Sequence, residues 1–178
     1  MNILYAGTPS NSAKILRYLA KLKPFNIKGV LTQPDKKGKR GNNLLESPVA
    51  IAAKDLKLEV FKPKNLNSNE VISNLCLLDI DFLVVIAYGK IIPPWLLELP
   101  NKSSINVHFS ILPKYRGASP IQSAFLNGDD SSGISIIEMS EALDAGDIFS
   151  SFIVKINPED NKSTLENKLT NKCITELP

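Results

Sequence analysis

The chain has 178 residues, a net charge of +3 and 43% hydrophobic residues, values typical of one globular domain. So small a positive charge does not by itself indicate a nucleic-acid-binding protein. No stretch reaches the ~20 apolar residues of a membrane-spanning helix, and no basic segment precedes the first apolar run, which argues against a signal peptide. Cys76 and Cys173 lack CxxC spacing and histidine partners, so we interpret them as reduced, buried thiols of a cytoplasmic protein.

The first half of the sequence alternates short apolar runs with helical patterns. Apolar runs predict strands at residues 2–6, 27–31, 58–61 and 82–87, and helical spacing predicts helices at 9–23, 48–57, 70–77 and 93–97. Ser10 or Asn11 is the predicted N-cap of the first helix, and Ser47 followed by Pro48 marks the start of the second. Residues 33–43 hold almost no apolar side chains and four basic ones, which predicts a flexible basic loop.

The second half predicts strands at 104–108, 133–139 and 148–156 and a helix at 120–126. A last helix is predicted to start at a capping box in residues 163–166, with Leu165, Leu169 and Cys173 as its buried stripe. Strands that alternate with helices predict right-handed βαβ units. The expected fold class is therefore α/β, with a doubly wound, mostly parallel twisted sheet and helices on both faces. Ligands of such sheets bind beyond the carboxyl ends of the strands.

Asn106 and His108 lie at such a strand end, and His108 is the only histidine of the sequence. Alternate positions of a strand face the same side, so both side chains would face one volume. An imidazole exchanges protons near neutral pH, and an asparagine amide can donate to an oxyanion. A core histidine bonded to the backbone is the alternative, but the neighbouring asparagine favours a catalytic pair.

The segment LDAGD at 143–147 lies between two predicted strands. Gly146 indicates a turn, and Asp147 could do no more than fix it. Asp144 is the better candidate for a carboxylate beside the imidazole, where it would orient the ring or a water. Spacing alone leaves open whether Asp144 is catalytic or only caps the turn.

Two further segments allow more than one interpretation, and a third allows only one. The basic loop at 36–40 is either a solvated surface or a segment that orders on an acidic partner such as RNA. Lys114 and Arg116 lie in a loop that is either plain surface or a site for phosphate or carboxylate. Gly7, after the first strand, belongs to neither GxGxxG nor a P-loop, so we interpret it as a tight turn into a helix.

Together these motifs resemble the catalytic domain of the formyltransferases that use 10-formyltetrahydrofolate. The superfamily signature is matched by residues 106–117 (NVHFSILPKYRG), and its second motif by residues 143–147. The segments that narrow the resemblance to the methionyl-tRNA formyltransferases are AGTP at 6–9, TQPD at 32–35, RG at 40–41, SPV at 47–49, AYGKIIP at 87–93 and GASPIQ at 117–122. The resemblance spans essentially all 178 residues.

The resemblance implies transfer of the formyl group of 10-formyltetrahydrofolate to the α-amine of methionyl initiator tRNA, on a Rossmann-like fold and without a metal. By the family pattern, the catalytic trio is Asn106, His108 and Asp144. The cofactor-binding residues that it implies are Ala87, Tyr88, Gly89, Ile92, Ser110, Leu112, Pro113, Leu143, Gly146 and Asp147. The tRNA-binding residues that it implies are Lys36, Lys37, Lys39, Arg40 and Arg116.

The sequence departs from the family pattern in a few places. Ser140 stands where an aspartate is common, and Phe109 would matter only if its bulk narrowed the channel for the amine. Family members continue into a β-barrel-like tRNA-binding domain, which we expect to be absent from residues 1–178. We also expect a cis Leu112–Pro113 bond and a cytoplasmic monomer without membrane contacts. The alternatives are a formyltransferase for an amino sugar or small metabolite, and a catalytically weak fragment that binds folate or RNA.

Overall fold

The computed structural model describes residues 1–38 and 44–178. The chain forms two compact units, Met1–Ser104 and Ile105–Pro178. In the first unit the elements are β1 (Asn2–Gly7), α1 (Ser10–Leu19), β2 (Asn26–Leu31), β3 (Lys36–Lys37), β4 (Leu44–Leu45), α2 (Pro48–Asp55), β5 (Val60–Phe61), α3 (Asn69–Cys76), β6 (Phe82–Ile86) and α4 (Pro94–Leu97). In the second they are β7 (Ser103–His108), which crosses the boundary, α5 (Pro120–Leu126), β8 (Ser131–Glu138), β9 (Ile148–Lys155) and α6 (Lys162–Glu176).

A parallel sheet forms the centre of the first unit, in the strand order β5-β2-β1-β6. β1 pairs on both edges, and Leu4, Tyr5 and Ala6 are fully buried. A strand that is covered on both faces needs apolar side chains at successive positions, which explains the unbroken apolar run of β1. In the second unit, β7, β8 and β9 pair antiparallel. The predicted fold class, α/β with a mostly parallel sheet, is confirmed.

The first helix is shorter than predicted and begins differently. α1 ends at Leu19, because Lys21 and Leu22 donate to carbonyls three residues back and so form tight turns. Neither Ser10 nor Asn11 is the N-cap. Pro9 holds that position in extended backbone, and its carbonyl accepts from the amide of Ala13. The other predicted elements of the first unit agree with the structure to within two residues at each end.

The flexible basic loop predicted at 33–43 contains a short strand, β3, and a second short strand, β4, follows the loop directly. Lys36–Lys37 pairs antiparallel with Leu44–Leu45. The Nζ of Lys62 contacts carboxylate oxygens of Asp35 at 2.7 Å and Glu46 at 2.5 Å, the residues that flank this short ribbon. Hydrogen bonds from Lys54 and Lys62 lower the pKa of Glu46. Backbone pairing and these ion contacts, neither visible as an apolar pattern, order the two strands.

The start of α2 follows the prediction. The Oγ of Ser47 accepts from the amide of Ala50 at 3.0 Å and bonds to the hydroxyl of the buried Thr32 at 2.7 Å. Pro48 occupies the first helical position, where its missing N–H leaves no intrahelical bond unmade. The helix ends at Asp55, two residues before Lys57 adopts a left-handed backbone with φ 58°.

The last helix has the predicted buried stripe but a different cap. Leu165, Leu169 and Cys173 are fully buried, and α6 packs against α5, β8 and β9. The capping box is formed by Asn161 and Thr164, and not by the predicted residues 163–166. The Oδ1 of Asn161 accepts from the amide of Thr164, whose hydroxyl accepts from the amide of Asn161. The earlier asparagine therefore satisfies the first free amides of the helix.

The two cysteines are free, as predicted, but only one of them is buried. Burial raises the pKa of the Cys173 thiol to about 12. Cys76 is exposed, which corrects the prediction of a buried thiol. It lies at the end of α3, a helix in which Leu75 is the buried residue.

The contacts of Asp160 lead us to expect that the free energy of unfolding falls in acid. Its carboxylate accepts from Lys168, from the amide of Asn157 and from the hydroxyl of Thr164, and these bonds, that to Lys168 first, lower its pKa to about 2. A carboxylate with a lowered pKa stabilises the folded state above its ordinary value of 3.8. That stabilisation is lost as the pH falls from 3.8 to about 2. Urea unfolding at pH 6, 4 and 3 should show the gap between wild type and Asp160→Asn closing with acidity.

The exposed Asp130 supplies the matched control. Asp130→Asn removes the same charge from the same unit and leaves the contacts of Asp160 in place, so it shows what the loss of one charge does at each pH. A gap for Asp160→Asn that stays constant from pH 6 to pH 3 would contradict the assignment.

Candidate active site

β7 carries two of the predicted catalytic residues to its carboxyl end. Asn106 pairs with Ile137 and His108 with Ser135 of the antiparallel β8. Val107, between them, is buried, as the alternation of a strand requires. The His108 side chain is only 7% exposed, so the imidazole is largely shielded from water.

Asp144 meets both of these side chains. Its Oδ1 accepts from Nδ2 of Asn106 at 3.2 Å, and its Oδ2 lies 3.5 Å from Nδ1 of His108. The same Oδ2 accepts from the amide of Gly117 at 2.8 Å. The Asp144 side chain is 8% exposed, whereas Asp147 is exposed. The structure thus brings together the three residues of the predicted trio.

The imidazole is held from its other edge by a backbone carbonyl. The Nε2 of His108 lies 2.9 Å from the carbonyl oxygen of Tyr115. A carbonyl can only accept, so Nε2 carries the hydrogen, and Nδ1 is the ring atom turned towards Asp144. When Nδ1 is also protonated, the ring and the carboxylate form an ion pair. The ring is therefore fixed at one nitrogen and faces a charged partner at the other.

The loop that follows β7 is anchored by a serine that the sequence analysis did not select. The hydroxyl of Ser135 accepts from the amide of Leu112 at 3.0 Å and donates to the carbonyl of Ser110 at 2.8 Å. The Oγ of Ser110 donates to the carbonyl of Lys114 at 2.6 Å. The Leu112–Pro113 bond is cis, which confirms the prediction. No sequence pattern singles out Ser135 among the serines of β8, because its full burial and its bonds come from tertiary packing.

Gly146 fixes the loop that carries Asp144. A Cβ at this position would lie 1.9 Å from the carbonyl oxygen of Glu138, which leaves room only for glycine. The amide of Glu138 donates to the carbonyl of Asp147. Asp144 itself has a left-handed backbone, with φ 49°, which aspartate tolerates better than most side chains. The end of β8 therefore defines the path of this loop.

The predicted cofactor-binding segment of the first unit is held by polar contacts to its backbone. The carbonyl of Tyr88 accepts from Oγ1 of Thr8 at 2.7 Å and from Nε2 of Gln33 at 2.9 Å, and the carbonyl of Gly89 also accepts from Gln33. Ala87 has φ 52° and Gly89 has φ 82°. Gln33 was missed as an individual residue, although the TQPD segment contains it.

The side chains of this segment divide between core and surface. Tyr88 and Ile92 are buried, whereas Ala87 and Gly89 are exposed. Burial raises the pKa of the Tyr88 hydroxyl to about 12, and that hydroxyl has no hydrogen-bond partner among residues 1–38 and 44–178.

The remaining predicted residues lie mostly at the surface. In the second unit, Leu143 is 69% exposed and Pro113 is exposed, whereas Ser110 and Leu112 are buried. Lys36, Lys37 and Arg116 are exposed. Lys39 and Arg40 lie outside the described residues. Phe109 is buried, and the Ser140 hydroxyl donates to the carbonyl of Ala142. Across the described ranges, no helix combines the length and the apolar character that crossing a membrane requires.

The imidazole and the carboxamide lie on β7, and the carboxylate comes from the loop between β8 and β9. Groups of these three kinds can transfer protons and donate to an oxyanion. A family model described as formyl transferase matches residues 1–177, so the chain belongs to the formyl transferase family. This confirms the resemblance drawn from the motifs.

The names of similar proteins are consistent with membership of this family. The chain is 47% identical to the methionyl-tRNA formyltransferase of Prochlorococcus marinus (strain MIT 9515) over 171 residues, 96% of this chain and 52% of that protein. It is 42% identical to the methionyl-tRNA formyltransferase of Nitrosomonas eutropha (strain DSM 101675 / C91 / Nm57) over 179 residues, 99% of this chain and 56% of that protein. The chain thus spans about half the length of these curated relatives.

A solved structure supports the fold independently. Phosphoribosylglycinamide formyltransferase from Bacillus halodurans matches with a TM-score of 0.80 at 24% identity, over 99% of this chain and 91% of that one. At this identity the match shows the shared fold and not a shared substrate.

Proposed function

We propose that this chain transfers the formyl group of 10-formyltetrahydrofolate to the α-amine of methionine on initiator tRNA, in translation initiation. The observation that carries the proposal is the cluster of Asn106, His108 and Asp144 in a chain 47% identical to a methionyl-tRNA formyltransferase. The folate supplies the formyl group. In the reaction an amine N–C bond forms, the folate N–C bond breaks, and one proton passes from the amine to the folate nitrogen.

Two side chains are suited to stabilising the charge that develops on the formyl oxygen. Asn106 uses one N–H of its amide on Asp144 and retains the other as a donor. A protonated Nδ1 of His108 is the second donor, because Nε2 is held by the Tyr115 carbonyl. Preorganised donors in a site shielded from water act most strongly where charge develops, and losing one typically costs ~10²–10³ in rate.

The same imidazole is placed to move the proton. Its Nδ1 lies 3.5 Å from Asp144, so the carboxylate can hold the ring, or a water, in the orientation that proton transfer needs. The attacking amine must be neutral, and an ordinary α-amine, with a pKa of ~7.7–8.0, has an adequate neutral fraction at neutral pH. No step requires a metal, and that expectation stays a prediction.

We propose the folate-binding residues in each unit separately. In the first unit Ala87 and Gly89 are small and exposed and suit the edge of a flat ring, and we propose the buried Tyr88 and Ile92 with them. In the second unit the proposed contacts are Ser110, Leu112, Pro113, Leu143, Gly146 and Asp147. The exposed apolar Leu143 supports this assignment, because a pterin offers an apolar face as well as polar edges.

Formyl transfer from a radiolabelled donor, compared across acceptors, tests the proposal. Label should enter methionyl initiator tRNA and not glycinamide ribonucleotide or a UDP-amino sugar. Transfer to an amino sugar or a small amine in preference to tRNA would establish the alternative formyltransferase. We further propose a cytoplasmic monomer, a location supported by the free cysteines.

The exposed lysines of β3 give a narrower prediction. Changing Lys36 and Lys37 together to alanine should raise KM for charged tRNA and leave folate binding unchanged, because these side chains would contact phosphates. Each lost phosphate contact should also reduce the slope of log affinity against log salt by about 0.7–0.9. Tryptophan or ligand fluorescence titrations at several salt concentrations would measure both ligands.

A second double variant controls for net charge. Lys21 and Lys23 are exposed in the same unit, and changing both to alanine removes two charges without touching β3. Equal weakening of tRNA binding by the two double variants would refute a specific role for Lys36 and Lys37. By the family resemblance, Arg40 and Arg116 would also contact tRNA, and Arg40→Ala is expected to act in the same direction.

A further inference from the structure

Tyr115 combines an unusual backbone with a functional contact. Its φ of 59° lies in the left-handed region, which aromatic side chains rarely adopt. Its carbonyl accepts from Nε2 of His108 at 2.9 Å. The flanking backbone is held as well, since Ser110 donates to the carbonyl of Lys114 and Gly117 donates to Asp144. A strained residue whose carbonyl orients the imidazole needs an anchor of its own.

Asp129 provides that anchor. Its Oδ2 accepts from the Tyr115 hydroxyl at 2.7 Å, and its Oδ1 lies 3.6 Å from Nζ of Lys114. The hydrogen bond to Asp129 also raises the pKa of the Tyr115 hydroxyl, as expected for a phenol that donates to a carboxylate. The amide of Asp129 donates to the carbonyl of Ala124 in α5, so the carboxylate projects from backbone that a helix fixes.

We propose that Asp129 and Tyr115 form a positioning pair for His108. Asp129 holds the phenol, the phenol fixes the left-handed backbone of Tyr115, and the Tyr115 carbonyl holds Nε2 of the imidazole so that Nδ1 faces Asp144 and the reacting groups. Neither residue touches the reactants in this assignment. The consequence for the rate rests on the proposed function, whereas the effect on the imidazole does not.

The single histidine of the chain makes the imidazole directly observable. In a chain without a histidine tag, every imidazole ¹⁵N and ¹H signal in an NMR spectrum belongs to His108. Wild type should show a hydrogen-bonded Nε2 proton that exchanges slowly with water. Tyr115→Phe, which removes one oxygen, and Asp129→Ala should both shift this signal and speed its exchange. Asp130→Asn, which neutralises the exposed neighbouring carboxylate, should leave it unchanged.

The kinetic test asks whether the two residues act through one bond. Tyr115→Phe and Asp129→Ala should each lower kcat by about 10- to 100-fold, as expected when a catalytic group is misplaced, with KM for the folate within about twofold. The double variant should be no slower than the slower single variant, because both changes break the bond between Tyr115 and Asp129. Asp129→Asn keeps an acceptor oxygen and should lie between wild type and Asp129→Ala. It also replaces Asp129→Ala if that variant does not fold.

The outcomes separate the two proposals. Imidazole signals that stay at their wild-type positions in Tyr115→Phe overturn the positioning pair, whatever the rates. Rate losses that multiply in the double variant overturn it too, since the residues would then act independently. If the imidazole responds as expected but wild type transfers no formyl group to charged tRNA, the proposed function fails and the positioning role stands.

Discussion

His108→Ala is expected to lower kcat for formyl transfer by ~10²–10³, the typical cost of losing one preorganised donor to a developing oxyanion. The loss should be at the upper end of that range, because the same ring also moves the proton. The imidazole is 7% exposed and bonded to the Tyr115 carbonyl and near Asp144, so no neighbouring side chain can simply take its place. Single-turnover transfer from labelled donor to charged tRNA measures the step directly.

The affinity for folate separates catalysis from binding. We assign His108 to the reacting groups and not to the pterin ring of the folate. Kd for the folate should therefore change little in His108→Ala. If wild type and variant are equally inert while both bind folate, the chain is a binding module and the catalytic assignment is wrong. If His108→Ala loses folate binding together with activity, His108 supports the binding site and not the reaction.

Much of the fold could be predicted because strong local signals agree with the packing. The apolar runs of β1 and β6 are short and favour buried strands, and Ser47 with Pro48 marks a helix start that the structure keeps. Sequence patterns gave the wrong helix start where a residue outside the pattern supplies the N-cap. The N-cap of α6 is Asn161 and not the predicted Ser163, because an asparagine before the first turn can accept from two free amides.

Some residues of the candidate site could likewise be predicted from the sequence, and others could not. Asn106 and His108 face the same side because side chains alternate along a strand, and the sequence suffices to predict this. The choice between Asp144 and Asp147 depends on the turn at Gly146, which is set by a contact with Glu138 eight residues away. Ser135 acts through its hydroxyl, Tyr115 through its carbonyl and Asp129 through its carboxylate. All three make tertiary contacts, for which a sequence pattern carries no signal.

Asp144→Asn should separate the shape of this carboxylate from its charge. The amide of Gly117 needs an oxygen acceptor, so the new NH₂ group must face Asn106. The carboxamide of Asn106 can turn its own oxygen to meet it, which preserves the hydrogen bonds but withdraws the donor N–H from its place. The fold should therefore survive, with the free energy of unfolding within about 1 kcal/mol of wild type.

The activity of Asp144→Asn should nevertheless fall by ~10²–10³, because Asn106 is reversed and the charge beside His108 is gone. Asp144→Ala should show both defects, since it leaves the Gly117 amide without an acceptor at a cost of about 1–3 kcal/mol. Urea unfolding and single-turnover kinetics on the two variants, with Asp130→Asn as the charge control, distinguish the two contributions. A fully active Asp144→Asn would show that the carboxylate only shapes the loop, and the proton would then have to move through His108 without a charged partner.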